Sequence, residues 1–153
     1  MLEWEWLSFA QLTPRKLYDV LALRSEVFVL EQNCVYQDID GLDPASMHLL
    51  GWQRGADEPQ LVAYLRCLPA GLKFAEASLG RVVTQGSVRG SGAGRALLAE
   101  ALQRMHGQFG NLPIRIAAQL YLQKFYEAFG FVICSEVFDE DGIAHIYMLR
   151  PAT

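Results

Sequence analysis

A glycine-rich loop between an apolar run and an amphipathic segment constrains the fold of this chain more than any other feature. Residues 79–84 form a β-type run, residues 89–94 carry the glycines, and an amphipathic helix is predicted to begin directly afterwards. Glycine adopts positive φ easily and lets a ligand approach the backbone closely. The first turn of a helix adds unpaired N–H groups and the positive end of the helix dipole. The sequence therefore predicts a strand, a loop that binds an anion such as a phosphate, and a helix.

The spacing within this loop distinguishes between types of phosphate-binding loop. A Walker loop requires G-x-x-x-x-G-K-[ST], but Arg95 and Ala96 follow Gly94. A dinucleotide fingerprint requires a third glycine where Arg95 stands, and an acidic residue at the end of a following strand. The pattern that fits is [QR]-x-x-G-x-[GA], read as Arg89-x-x-Gly92-x-Gly94, which resembles the coenzyme A loop of the GNAT N-acetyltransferases. An ordinary glycine-rich turn remains the alternative at this point.

Composition excludes several classes of protein. The chain has 153 residues, of which 52% are hydrophobic and 20% charged, as is typical of one globular domain. The net charge of −4 argues against a general affinity for nucleic acid or for an acidic membrane surface. No apolar run approaches the ~18 residues of a membrane span, and acidic residues stand where a signal peptide needs positive charge. We therefore expect a cytoplasmic protein without a nucleic-acid or membrane partner.

The cysteines give no sign of a disulfide framework or a metal site. Cys34, Cys67 and Cys134 are few and dispersed, and no pair has the spacing of metal ligands. We expect three buried thiols in a reducing compartment and no bound metal.

The periodicity of apolar residues predicts one α+β domain over residues 1–153, with the order β-α-α-β-β-β-α-β-α-β-β. Thr13 and Pro14 are typical of a helix start, and Gly130 of a helix end. Residues 33–47 show little periodicity, and a loop of this length is uncommon unless it has a function. The predicted strands are 2–9, 48–54, 61–68, 75–84, 114–118, 131–137 and 143–149. The predicted helices are 14–30, counted as two pieces in this order, a helix that begins directly after Gly94 and runs to 109, and 120–129.

A second motif strengthens the resemblance to the GNAT family. Phe125-Tyr126-x-x-x-Gly130-Phe131 resembles the segment of that family that follows the fifth strand. Residues 24–49 and the hairpin of residues 139–146 further resemble ElaA-type GNAT proteins, although Ala144 stands where that hairpin usually has proline. The resemblance covers nearly the whole chain and implies a single GNAT domain with a mixed, mostly antiparallel sheet flanked by helices.

The resemblance implies acetyl-CoA as the acyl donor and assigns roles by motif position. The backbone of Val82 and Val83 would pair with the pantetheine arm, and Tyr126 would lie near the sulfur and protonate the leaving thiolate. A packing role for Tyr126 is the alternative. The pyrophosphate would bind the loop residues Arg89, Gly90, Ser91, Gly92, Ala93, Gly94 and Arg95.

The general base is not assigned by the sequence. An attacking amine must lose a proton, and alkyl amines are largely protonated at neutral pH. Histidine can change its charge near neutrality, but a lone histidine in a strand is commonly a hydrogen-bonded structural residue. Glu31 could instead bind substrate or pair with Arg24. The candidates are Glu31, His48, Glu76 and His145.

Asp38, Asp40 and Asp43 lie in the long loop and at first suggest a calcium site. Gly41 follows only two spaced acids, and Met47 occupies the position at which an EF-hand has glutamate. The residues therefore predict a turn. We expect their carboxylates to border the acceptor site and to favour a cationic substrate.

The leading hypothesis is an enzyme that transfers an acetyl group from acetyl-CoA to a primary amine by direct attack in a ternary complex. No cysteine or serine is paired with a base as a nucleophile would be. A non-catalytic acyl-CoA-binding module on the same fold is the alternative, and a nucleotide-binding domain is a third. A homodimer is possible, with Trp4 and Trp6 as candidate contacts. The acceptor is not identified by the sequence.

Overall fold

Two antiparallel sheets form the centre of the computed structural model, which describes residues 2–153. The first sheet has the order β1-β2-β3-β4, and the second has the order β5-β8-β6 with β7 also paired to β8. The strands are β1 (Leu2–Ser8), β2 (Met47–Gln53), β3 (Gln60–Leu68), β4 (Ser78–Thr84), β5 (Ile114–Gln119), β6 (Val132–Ile133), β7 (Phe138–Glu140) and β8 (Ile143–Arg150). The helices are α1 (Pro14–Arg24), α2 (Ala93–Phe109) and α3 (Gln123–Glu127). The predicted α+β class is confirmed.

The two sheets meet at one point only. Ala77 and Ile114 form a parallel bridge, and the N–H of Arg115 donates to the carbonyl of Ala77 at 2.9 Å. Over Ser78–Thr84, β4 pairs with β3 on one edge and with no other strand of the described chain. The sheets therefore separate beyond Ala77, and a cleft opens between β4 and β5.

Both faces of the first sheet are covered by helices. Leu97, Leu98, Ala101 and Met105 of α2 pack on one face, and Val20 and Leu23 of α1 pack on the other. All residues of β3 from 61 to 68 are buried, because the strand is central and covered on both sides. This explains why residues 61–68 form a nearly continuous apolar run.

Three predicted boundaries differ from the structure. The first helix changes at Ser25–Glu31 into a π-helical segment with wider turns, and the helix of residues 120–129 is α-helical only over Gln123–Glu127. The strand predicted at 131–137 is reduced to β6, and a separate strand, β7, follows beyond the predicted end. Between them the N–H of Tyr147 donates to the hydroxyl of Ser135 at 2.8 Å, so a side chain replaces the backbone partner that would continue the ladder.

The long loop of residues 33–46 is held on the sheet by an arginine–aspartate network, whose six members are Arg24, Arg66, Arg81, Asp38, Asp40 and Asp43. Arg24 is fully buried, and its Nε and Nη1 donate to Asp38 Oδ2 at 2.9 Å and Asp43 Oδ1 at 2.7 Å. Arg66 Nη1 donates to Asp43 Oδ1 at 2.9 Å and to Asp40 Oδ1 at 2.8 Å. Arg81 Nη2 donates to the carbonyl of Asp38 at 2.8 Å. Three elements of the fold thus fix one loop.

His48 extends this network into the core. It is 0% exposed, with Nδ1 at 2.7 Å from the Tyr64 hydroxyl and Nε2 at 3.0 Å from the Asp43 carbonyl. A carbonyl can only accept, so Nε2 carries the proton and Nδ1 accepts from Tyr64. Burial lowers the pKa of His48, although the bond to Asp43 acts in the opposite direction.

Replacing Gly51 with alanine should destabilise the first sheet. A Cβ at Gly51 would lie 2.6 Å from the Trp4 ring and 2.9 Å from the Cβ of Ala63, closer than van der Waals contact allows. We expect Gly51→Ala to lower the free energy of unfolding by about 1–3 kcal/mol, measured by urea titration. Gly107→Ala is the matched control, because a Cβ there meets nothing and alanine favours the helix, so its stability should stay equal or rise. Equal losses for both variants would contradict the packing explanation.

The stability of the native protein should depend on pH through His48. The folded pKa lies below the ordinary value of 6.5, so below that pH the unfolded chain takes up a proton that the native chain does not. This contribution is complete above about pH 6.5 and is lost as the pH falls through the folded pKa, by up to about 1.4 kcal/mol per pH unit. His48→Gln should remove that slope from unfolding measurements between pH 7 and 5. The exposed control His106→Gln should keep it, and identical slopes in all three proteins would refute the assignment.

Candidate active site

A cleft of about 720 Å³ occupies the space in which β4 and β5 separate. It is bordered by the π-helical segment Ser25–Glu31, by β4, by the start of α2, by β5 and α3, and by the hairpin of β7 and β8. Elements from the whole length of the chain therefore contribute to one site. The cleft is large enough for an extended ligand together with a second small molecule.

β4 presents an unpaired edge to this cleft. Its register with β3 shifts between Tyr64 and Arg66, and Arg81 opposite has a φ of 52°, which is a left-handed conformation. Such a bulge turns the strand away from regular pairing. Val82 and Val83 both line the cleft, so the structure brings their backbone to the position expected for donor binding. Their pairing with a pantetheine arm remains a prediction.

The glycine loop leads into α2 as the sequence indicated. Gly90 and Gly92 have φ values of 81° and 88°, which only glycine adopts readily, and α2 begins at Ala93. The first bond of the helix runs from the N–H of Ala96 to the carbonyl of Gly92 at 3.1 Å. The preceding N–H groups, from Gly92 to Arg95, consequently have no acceptor within the helix. This is the arrangement that binds anions at helix starts.

The arginines of the loop differ in their surroundings. Arg89 forms an ion pair with Glu31, in which Nη1 lies 2.7 Å from Oε1. Its Nη2 donates a hydrogen bond to the Thr84 carbonyl at 2.9 Å. Arg95 is exposed and has no carboxylate within 4 Å among residues 2–153. The charge of Arg89 is thus already partly balanced, whereas that of Arg95 is not. Gly94 lines the cleft beside Phe125, whereas the loop residues outside its lining are Gly90, Ser91, Gly92, Ala93 and Arg95.

Tyr126 lies on the wall of the cleft. It is only 5% exposed, between the rings of Phe125 and Phe131 at centroid distances of 5.2 and 5.7 Å. Its hydroxyl has no hydrogen-bond partner in the part of the chain that the structure describes. Burial raises the pKa of Tyr126, so the phenol keeps its proton at neutral pH and is available as an acid.

His145 and Glu31 both line the cleft, but they are held differently. The Nδ1–H of His145 donates to the Ile143 carbonyl at 2.7 Å, which leaves Nε2 at 3.4 Å from Glu140 Oε2. In the neutral ring Nε2 therefore carries the lone pair. Glu31 is paired with Arg89, so the suggested pairing with Arg24 is wrong, because Arg24 is buried with Asp38 and Asp43.

His48 and Glu76 are not brought to the cleft. His48 lies in the core and bonds Tyr64 and Asp43 at both ring nitrogens. Both oxygens of Glu76 accept from Arg115 at 3.0 Å, and this bond holds the pKa of Glu76 below its ordinary value. Neither placement fits a general base acting in the cleft.

The expectation of an acidic border at Asp38, Asp40 and Asp43 is wrong. Each carboxylate is paired with arginine, and Asp40 alone of the three lines the cleft. Burial by itself would raise the pKa of Asp43, but its bonds to Arg24 and Arg66 hold that pKa below the ordinary value. The cluster is therefore a set of neutralised ion pairs and supplies no free negative charge.

Sequence reasoning missed Arg66 and Lys73, which also line the cleft. Arg66 carried a usable signal, because an arginine inside a run of buried apolar residues needs a partner. Lys73 carried none, since an exposed lysine after a turn is commonplace.

The remaining chemical groups add little to this site. Cys34 and Cys67 are buried as expected, but Cys134 is exposed. Within residues 2–153, no group of three or more histidine, cysteine or acidic side chains is arranged to hold a metal ion. None of the described helices has the length and apolar character required to cross a membrane.

Comparison with known proteins agrees with this architecture. Residues 55–150 match a family model described as an acetyltransferase (GNAT) domain. The chain is 41% identical to the protein ElaA of Escherichia coli strain K12 over 152 residues, which is 98% of this chain and 97% of ElaA.

Solved structures give the same result. An acyl-CoA N-acyltransferase from Pseudomonas aeruginosa is similar with a TM-score of 0.91 and 42% identity, over 98% of this chain and 99% of that one. The crystal structure of Escherichia coli ElaA is similar with a TM-score of 0.90 and 40% identity, over the same shares. The family model covers more than half of the chain and ElaA aligns along nearly all of it, so this chain belongs to the GNAT acetyltransferase family and is of the ElaA type.

Proposed function

We propose that this protein is an N-acetyltransferase that moves the acetyl group of acetyl-CoA to a primary amine by direct attack in a ternary complex. The observation that carries this proposal is the cleft between β4 and β5, because a protonated phenol and an imidazole line it and the start of α2, with its unpaired amides, adjoins it at Gly94. The family supports acyl transfer as the class of reaction.

The donor would lie along β4 and end at the glycine loop. The free amides from Gly92 to Arg95 and the unbalanced charge of Arg95 would bind the pyrophosphate. The unpaired edge of β4 at Val82 and Val83 offers backbone groups to the amides of the pantetheine arm. These contacts would place the thioester towards Tyr126.

Tyr126 and His145 would move the two protons of the reaction. The amine nitrogen forms a bond to the acetyl carbon as the carbon–sulfur bond breaks. His145 Nε2 accepts a proton from the amine, since its other nitrogen already donates to Ile143. Tyr126 donates its proton to the departing thiolate, and exchange with solvent then returns a proton to Tyr126 and removes one from His145. The products are an amide and coenzyme A.

Removing the Tyr126 hydroxyl should slow the chemical step and leave donor binding intact. We expect Tyr126→Phe to lower kcat about 10²-fold or more, because the thiolate loses its acid. The dissociation constant for acetyl-CoA, measured by calorimetry, should change little, since the ring remains. Tyr18→Phe is the matched control, as Tyr18 is 72% exposed and outside the cleft. Full turnover in Tyr126→Phe with intact donor binding would remove Tyr126 from the mechanism.

The loss in His145→Gln should depend on the basicity of the amine. For an amine that is mostly protonated at the assay pH, we expect kcat/KM to fall about 10²-fold, because no base accepts the proton. A weakly basic amine, largely neutral at that pH, should lose much less. The rate of coenzyme A release measures kcat/KM for each of the two amines. Equal losses for the two amines would show that His145 has a structural role only, and His106→Gln should affect neither.

If acetyl-CoA binds tightly and no amine class accepts the acetyl group, the function would instead be that of a non-catalytic acyl-CoA-binding module. A screen of amine classes with acetyl-CoA decides between the two.

A further inference from the structure

Arg66 has a buried hydrogen-bond donor that nothing in the described chain satisfies. The residue is 2% exposed, and both of its Nη atoms are bonded to Asp40, with Nη1 also bonded to Asp43. Its Nε has no hydrogen-bond partner. Arg66 is also one of the residues that line the cleft. A buried N–H that lacks an acceptor is unfavourable until one is bound.

Lys73 adds positive charge at the same place. It lines the cleft, and no carboxylate lies within 4 Å of it among residues 2–153. The arginine–aspartate network is balanced within itself, with three arginines against three aspartates, and it forms no ion pair with Lys73. Arg66, Arg81 and Asp40 of the network and Glu140 of the β7–β8 hairpin line the same cleft as Lys73.

Aromatic rings connect Lys73 to the proposed base. Lys73 Nζ lies 5.5 Å from the Phe74 ring, which contacts the ring of Tyr147 edge-on at 5.6 Å. The ring centroids of Tyr147 and Phe138 are 4.6 Å apart, and those of Phe138 and His145 are 6.0 Å apart. Glu140 is beside His145 at 3.4 Å. Lys73, Glu140 and His145 all line the cleft, so it contains a cation without a paired carboxylate, Lys73, and a carboxylate next to the base, Glu140.

We propose that the acceptor is a primary amine that also bears a carboxylate, such as an amino acid. Its carboxylate would bind between Lys73 Nζ and the free Nε–H of Arg66, and its amine would lie at His145 and Glu140. The carboxylate supplies the acceptor that Arg66 lacks and the counter-charge that Lys73 lacks. This inference rests on the proposed function for the identity of the second substrate.

The test compares amino acids with their carboxamides. Release of coenzyme A from acetyl-CoA would be measured for α-amino acids and ω-amino acids, each paired with the amide of the same carbon skeleton. We expect the preferred carboxylate to exceed its amide in kcat/KM by about tenfold or more, because only the carboxylate forms a charge-assisted pair. Amides or polyamines that react as well as every carboxylate would overturn the proposal.

Lys73→Met is the informative variant, because it removes the charge and keeps an apolar stem. It should lower kcat/KM about tenfold for the carboxylate and leave the amide unchanged, whereas the exposed control Lys124→Met should alter neither. Equal losses on both substrates would refute the carboxylate site. Arg66 is unsuitable for this purpose, since its removal takes one of two arginine partners from each of Asp40 and Asp43 and threatens the fold.

A binding measurement separates this proposal from the proposed function. Calorimetry with coenzyme A present would compare the amino acids with their amides in the native protein and in Lys73→Met. Selective binding of a carboxylate that Lys73→Met loses, without any turnover, would support the carboxylate site and refute catalysis. Absence of selective binding would overturn the carboxylate site whether or not an amine is acetylated.

Discussion

The ion pairs between Arg24, Arg66 and Arg81 and the loop of residues 33–46 are the interaction on which the acceptor side of the cleft depends. Removing charges from water costs several kcal/mol per ion, and only well-matched partners offset this cost. Here Arg24 from α1 and Arg66 from β3 converge on Asp43, while Arg81 from β4 reaches Asp38. Each member pairs with two residues of opposite charge, so loss of any one would remove part of the counter-charge of two partners. The loop therefore has one favourable position.

That position determines what the cleft contains. The loop brings Cys34, Tyr36 and Asp40 to the cleft, and Cys34 Sγ lies 3.2 Å from the carbonyl of Asp141 in the opposite hairpin. The cleft itself exists because the two sheets share a single bridge, between Ala77 and Ile114, where β4 and β5 begin. A continuous sheet would have filled the space with strand pairing. The separation instead leaves the edge of β4, Tyr126 and His145 facing one cavity, which is a suitable geometry for two substrates.

Local features were predictable because they depend on neighbouring residues. The cap of α1 is as expected, with Thr13 Oγ1 accepting from the N–H of Lys16 at 3.2 Å, and the glycines of the loop have positive φ. The type of fold was also predictable, because two motifs with fixed spacing, the glycine loop and the segment of residues 125–131, indicated the family. The division of β6 from β7 was not, since it depends on one bond between Ser135 and a strand twelve residues away.

By itself, the sequence determined the family, the order of the main elements and the region that would bind the donor, since these follow from short-range patterns of glycine, apolar residues and caps. It named four candidate bases without distinguishing them, and it assigned free negative charge to three aspartates. Only the tertiary structure decided that His48 and Glu76 are occupied elsewhere, that His145 lies on the cleft, and that the aspartates are neutralised. The physical reason is that the burial and the partner of an ionisable group depend on residues distant in sequence. Arg24, Arg66 and Arg81, from separate elements, meet one loop only after the chain has folded.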